Sequence, residues 1–98
     1  MFHHIVLMSF KPGTGQDFFA TAQHYVARVK AECADVVSYF LADNIASRSD
    51  GLTHGIVGVF TSSAAHDAYQ VSPVHQEMKV FMATRMDRIV VLDTETGA

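Results

Sequence analysis

An α+β domain, built on one antiparallel four-stranded sheet with helices over one face, is predicted by three features of the sequence. Four short runs, at residues 2–10, 36–42, 53–60 and 88–94, alternate or concentrate β-branched and aromatic residues as strands do. Two longer stretches, 16–34 and 64–84, instead repeat apolar residues every three or four positions. The resulting order is βαββαβ, which right-handed crossovers fold into the split βαβ, or ferredoxin-like, arrangement with strand order 4-1-3-2.

In residues 2–10, Phe2, His4, Val6, Met8 and Phe10 share one face while His3, Ile5, Leu7 and Ser9 share the other. Both faces are largely apolar, so this strand is expected to be covered on both sides. Lys11-Pro-Gly-Thr-Gly15 breaks the pattern, and a helix follows whose stripe is Phe19, Ala22, Val26, Val29 and Cys33. Thr14, three residues before Asp17, resembles a capping box at its start. The strand at 36–42 leads into a polar loop, 43–52, that ends in the hairpin signal Asp50-Gly51. With Arg48 and Asp50 in it, that loop reads as a lid or as a long hairpin. In the strand at 53–60, His54, Ile56, Gly58 and Phe60 share a face. Ser62-Ser63 caps a short helix, 64–71. A Ser-Pro turn then opens a second helix, 74–84, with Ser72 as N-cap and Pro73 at the first helical position. The last strand puts Ile89 and Val91 on one face and Val90 and Leu92 on the other.

Composition bounds the function. Ninety-eight residues make one domain, residues 1–98, whose core is modest enough that association is an expected supplement. The net charge is −3 and the seven basic residues are scattered, which argues against nucleic acid. The single cysteine, Cys33, excludes an intramolecular disulfide, lies on an apolar stripe and suits a reducing, cytoplasmic setting. The apolar N-terminal run has about ten residues and no positive flank, so it is expected to be neither a signal peptide nor a membrane span.

With helices over one face, Ile5, Leu7, Val57, Val59, Val90 and Leu92 form an apolar patch on the other. A patch of that size marks an association surface, and a two-fold homodimer packed sheet to sheet would bury it. The first and third strands are expected to lie side by side and parallel, which would place His4 and His54 at the same end of the sheet. The Ser-Pro turn carries Tyr69 and His75 towards that end. The four groups His4, His54, Tyr69 and His75 are therefore expected to line one small-molecule cavity with Val6, Met8, Ile56, Met86, Ile89 and Val91 as apolar walls. No His-x-His or His-x3-His spacing supports a metal, and no metal or cofactor is expected. His24 and His66 are expected to be solvated.

His4-Ile-Val-Leu-Met-Ser-Phe-Lys-Pro-Gly13, Thr53-His54, Tyr69-Gln-Val-Ser-Pro-Val-His75-Gln and Ile89-Val-Val-Leu-Asp93 together resemble the stress-responsive α/β-barrel (Dabb) family over nearly the whole chain. The resemblance implies a dimeric α+β barrel of ferredoxin-like subunits. Most of the family has no assigned reaction. Its best-defined activity is that of plant polyketide cyclases of the olivetolic acid cyclase type, where a histidine after the proline turn is the base and a tyrosine before it assists. Carried over, those roles fall on His75 and Tyr69, with His4 and His54 also lining the pocket. Ser72 stands where the family often has a histidine, and Leu52 where it often has a tyrosine.

Two readings of the Tyr69–His75 turn remain. As chemistry, His75 is a general base near neutrality and Tyr69 a hydrogen-bond donor to an enolate, which suits a cofactor-free cyclase or lyase. As architecture, the two side chains bond to each other or to backbone and lock the turn. The corresponding functions are a cofactor-free enzyme and a dimeric binding module with an apolar cavity and no catalysis.

Overall fold

The computed structural model describes residues 1–97. The elements are β1 (Phe2–Phe10), α1 (Gln16–Glu32), β2 (Val36–Asp43), β3 (His54–Phe60), α2 (Ser63–Gln70), α3 (Pro73–Ala83) and β4 (Met86–Glu95). They form a ferredoxin-like fold, with strand order β2-β3-β1-β4 in one sheet. The smallest Cα extent is 16 Å, so the protein is two layers thick: the sheet and the helices on one side of it.

Every neighbouring pair of strands is antiparallel, including β1 and β3, which were expected to be parallel. The correction follows from the crossovers. Each of the two strand-helix-strand units keeps its own two strands parallel but not adjacent. Each gap is then filled by a strand of the other unit running the opposite way. The start of β3 therefore lies beside the end of β1: His54 pairs with Met8, while His4 pairs with Gly58.

The core sits between the sheet and the helices. Alternation along β1 buries His4, Val6 and Met8 on the helix side, and β3 adds Ile56 and Phe60. Helix α1 contributes Ala22, Val26 and Val29, three residues of the apolar stripe read from the sequence. Its N-cap is Gly15, and the Thr14–Asp17 capping box does not form. Instead the Thr14 hydroxyl donates to the Lys11 carbonyl (2.6 Å) and accepts from the Arg85 guanidinium (3.0 Å), tying the β1–α1 loop to the start of β4. The 44–53 loop turns through left-handed residues at Asp50 (φ 53°) and Gly51 (φ 77°). Arg88 fastens it to β4 through the Asp50 carbonyl (2.9 Å) and carboxylate (3.2 Å), so it is a tethered hairpin loop.

The other sheet face is bare. Ile5, Leu7, Val57 and Val59 are half-buried by their neighbours alone, and Phe40, Val90 and Leu92 are 48%, 46% and 54% exposed. No helix of the described residues is long and apolar enough to cross a membrane.

Gly58 is the most closely packed of the glycines. A Cβ there would meet the Tyr39 ring at 3.0 Å and the Phe60 ring at 3.1 Å, both buried. Gly58→Ala is expected to cost about 1–3 kcal/mol by overpacking. Gly15→Ala, whose Cβ meets nothing within 4 Å, is expected to cost less, about 0.5–1 kcal/mol, from the poorer N-cap alone. Thermal unfolding of the two variants beside the parent checks the contrast.

Candidate functional site

The turn between α2 and α3 is held by one hydroxyl. Ser72 Oγ donates to the Tyr69 carbonyl (2.7 Å) and accepts from the His75 backbone N–H (3.3 Å), and Pro73 occupies the first helical position. Ser72 thus satisfies a free carbonyl of α2 and a free amide of α3 together. The cap places His75 in the first turn of α3, where its Nδ1 lies 2.9 Å from the Gln70 carbonyl oxygen. A carbonyl can only accept, so Nδ1 carries the proton and Nε2 of the neutral ring carries the lone pair. Burial pushes the His75 pKa below the usual histidine value. Lys79 and His4 push it the same way, against the Gln70 hydrogen bond. The ring is therefore a neutral base at physiological pH.

Tyr69 is 1% exposed, and its ring packs against His75 with centroids 4.4 Å apart. Its hydroxyl is 2.7 Å from that of Tyr39. Burial pushes both phenols up, Tyr39 to about 12 and Tyr69 well above the usual range, so both stay protonated. The two side chains of the turn thus make separate hydrogen bonds, His75 to backbone and Tyr69 to Tyr39, and meet each other only through their rings.

A cavity of about 480 Å³ opens beside them, bounded by β1, β3, β4 and α3. His4, Tyr69 and His75 line it. Val6, Met8 and Ile56 supply apolar wall from the central strands, and Met86, Ile89 and Val91 supply it from β4. Lys79 is its cationic member.

His54 is not part of this cavity. Because β3 runs antiparallel to β1, His54 sits four residues along the sheet from His4, or about 13 Å at the usual rise of a strand. It stacks on Phe19 (centroids 4.1 Å apart) in a separate hollow with Gln16, Gln23 and Asp43, and its Nε2 is 3.3 Å from the Asp43 carboxylate. Desolvation lowers its pKa, and Asp43 opposes the shift.

In exchange the structure brings in two residues that the sequence reading missed. His66, expected to be solvated, is 2% exposed and packs against Phe2, Phe60, His4 and Tyr69. Its pKa is lowered, first by burial and then by His4. Its position three residues before Tyr69 puts the two on one face of α2, which was the available signal. Asp93 pairs directly across from His4, and its Oδ1 lies 2.5 Å from His4 Nδ1. The signal for Asp93 was the period of two along β4, which sets Ile89, Val91 and Asp93 on the cavity side.

Removing one phenol of the tyrosine pair is expected to leave the other buried and unpaired. Tyr39→Phe should cost about 1–3 kcal/mol. In a double-mutant cycle with Tyr69→Phe, denaturant unfolding should show less than additive loss. A pH effect follows from His54 and His75, whose folded pKa values lie below the unfolded value of about 6.5. The unfolded chain binds the proton first as pH falls, so stability is full above that value, declines as pH drops through it and levels off below the folded pKa values. Denaturation midpoints across that range should show a shallower decline for His54→Gln and for His75→Gln.

No curated protein matches the chain. Among solved structures, a protein of Arabidopsis thaliana superposes with a TM-score of 0.87 at 20% identity, covering 100% of this chain and 97% of that one. A dimeric ferredoxin-like protein of unknown function from Jannaschia sp. superposes with a TM-score of 0.85 at 23% identity, covering 97% and 98%. The hydroxynitrile lyase of Passiflora edulis superposes with a TM-score of 0.83 at 21% identity, covering 99% and 96%. At these identities the likeness is one of fold. The family model described as "Stress responsive A/B Barrel Domain" matches residues 2–96, nearly the full length. The chain belongs to the stress-responsive A/B barrel (Dabb) family.

Proposed function

We propose that this protein is a homodimer, closed through its bare sheet face, whose subunits each hold a small, mainly apolar molecule in the cavity beside His75. The dimer rests on the apolar patch around Ile5, Val57 and Leu92, and similar structures are described as dimeric. The cavity has the size and make-up of small-molecule sites, with aliphatic walls and a few convergent polar groups. A cytoplasmic setting fits its single thiol.

One observation favours catalysis at that site over binding alone: the proton of His75 is fixed on Nδ1 by the Gln70 carbonyl, which leaves the Nε2 lone pair for a substrate. The reading is a cofactor-free cyclase or lyase acting on a carbonyl compound. His75 Nε2 takes a proton from the carbon next to a carbonyl, and the electrons of the broken C–H bond move onto the carbonyl oxygen as an enolate. Tyr69, which can accept from Tyr39, keeps its own proton to hydrogen-bond that oxygen. In an aldol-type closure the enolate carbon bonds to a second carbonyl carbon, and the His75 imidazolium returns the proton to the new alkoxide. A hydroxynitrile lyase is among the proteins of this fold, which supports an enzymatic reading.

Light scattering at micromolar concentration is expected to give a dimer, and a monomer would overturn the assembly. Native mass spectrometry of freshly purified protein is expected to show a small organic molecule retained in the cavity. With a linear β-polyketide as substrate, His75→Ala should lower turnover roughly 10²–10⁴-fold while retaining the fold. If the substitution costs stability and there is no turnover to lose, His75 serves the turn and the protein is a binding module.

A further inference from the structure

The reading above leaves His66 and Asp93 without a role, and these two meet His4 where β1, β4 and α2 come together. Asp93 Oδ1 is 2.5 Å from His4 Nδ1 and 3.9 Å from His66 Nε2, and the three atoms all lie within 4.8 Å of one another. A first-row divalent cation binds imidazole nitrogen and carboxylate oxygen at about 2.0–2.2 Å, which sets donors roughly 3–3.4 Å apart. One spacing here is shorter than that and the other longer, and a turn of the partly exposed Asp93 carboxylate away from His4 and towards His66 shifts both in the required sense with the two rings held in place. Two imidazoles and one carboxylate are also the donor set of three-ligand transition-metal sites that keep positions open.

We propose that His4, His66 and Asp93 form a binding site for one divalent transition cation of the zinc type per subunit, with its open coordination positions towards the cavity that His4 and Asp93 line. The surroundings suit such a site. Two of the three ligands are buried, at 8% and 2% exposure, which fixes their rings before the ion arrives. His66 Nε2 is otherwise poorly partnered: the Gln70 amide nitrogen is 3.4 Å from it, against 3.1 Å from Nδ1. Turning the Gln70 amide end for end presents its oxygen to Nδ1–H, the tautomer that frees Nε2 for a metal. The ligands come from positions 4, 66 and 93, so no short spacing in the sequence announces them. The site is independent of the role given to His75.

Cobalt(II) and zinc(II) are the probes. The protein, first stripped with a chelator, is titrated with Co²⁺ while visible d–d absorption is followed, and with Zn²⁺ by calorimetry. The expected result is saturation at one ion per subunit with the absorption of a low-coordinate site. Asp93→Asn and His66→Gln should each weaken binding by more than the roughly 10–100-fold that loss of a ligand's own hydrogen-bond partner costs. His24→Ala, at an exposed histidine, should leave it unchanged. Asp93 lies on an edge strand with its side chain 37% exposed, so its amide variant is the one to rely on if His66→Gln does not fold. Absence of saturable binding, or binding that Asp93→Asn leaves intact, overturns the proposal.

Discussion

The position of His75 beside the cavity depends on a missing side chain. Gly58 leaves room for the Tyr39 ring to lie across β3, at a distance where a Cβ would collide. Lying there, Tyr39 puts its hydroxyl within 2.7 Å of Tyr69, which anchors the end of α2 over the sheet. Ser72 then ties the Tyr69 carbonyl to the first turn of α3, and the Gln70 carbonyl orients His75. The first links, from Gly58 through Tyr39 to Tyr69, are buried and stiff, whereas the Ser72 bonds are partly buried and the His75–Gln70 bond is exposed.

The polar groups on the helix side fall into two sets because of strand direction. His4, Asp93 and His66 gather at the β1–β4 margin, and His54 with Asp43 gathers at the β2–β3 margin. With His75 at the cavity, four histidines of one short chain thus serve at least two places. The two at positions 54 and 75 share only the fact that desolvation lowers their pKa.

Much of this was legible from residue patterns. Period-two runs marked β1, β3 and β4, β-branched and aromatic content marked β2, and the α1 stripe of Ala22, Val26 and Val29 was read correctly. The Ser72-Pro73 pair announced both the cap and the start of α3. These signals are local, with a physical cause inside a few residues. The misplacement of His54 was of another kind: its face was read correctly, but a parallel β1–β3 pair is incompatible with the antiparallel 4-1-3-2 sheet that the same element order predicts. His66 was missed because a lone histidine in a short helix has no meaning until its neighbours across the sheet are known. The Thr14–Asp17 pattern failed because Thr14 found a tertiary partner in Arg85.

The β4 side of the cavity has a consequence for how the protein can change. β4 packs chiefly against β1, and its inward residues Ile89 and Val91 remain 54% and 50% exposed within the subunit, while the core proper lies between the other three strands and the helices. The β4 part of the cavity wall is therefore largely separate from the packing that holds the subunit together, whereas Val6, Met8 and Ile56 belong to both. Substitutions at Ile89 or Val91 can reshape the chamber with little effect on stability. A fold arranged in this way can acquire new ligands by drift along one margin, with its frame left intact.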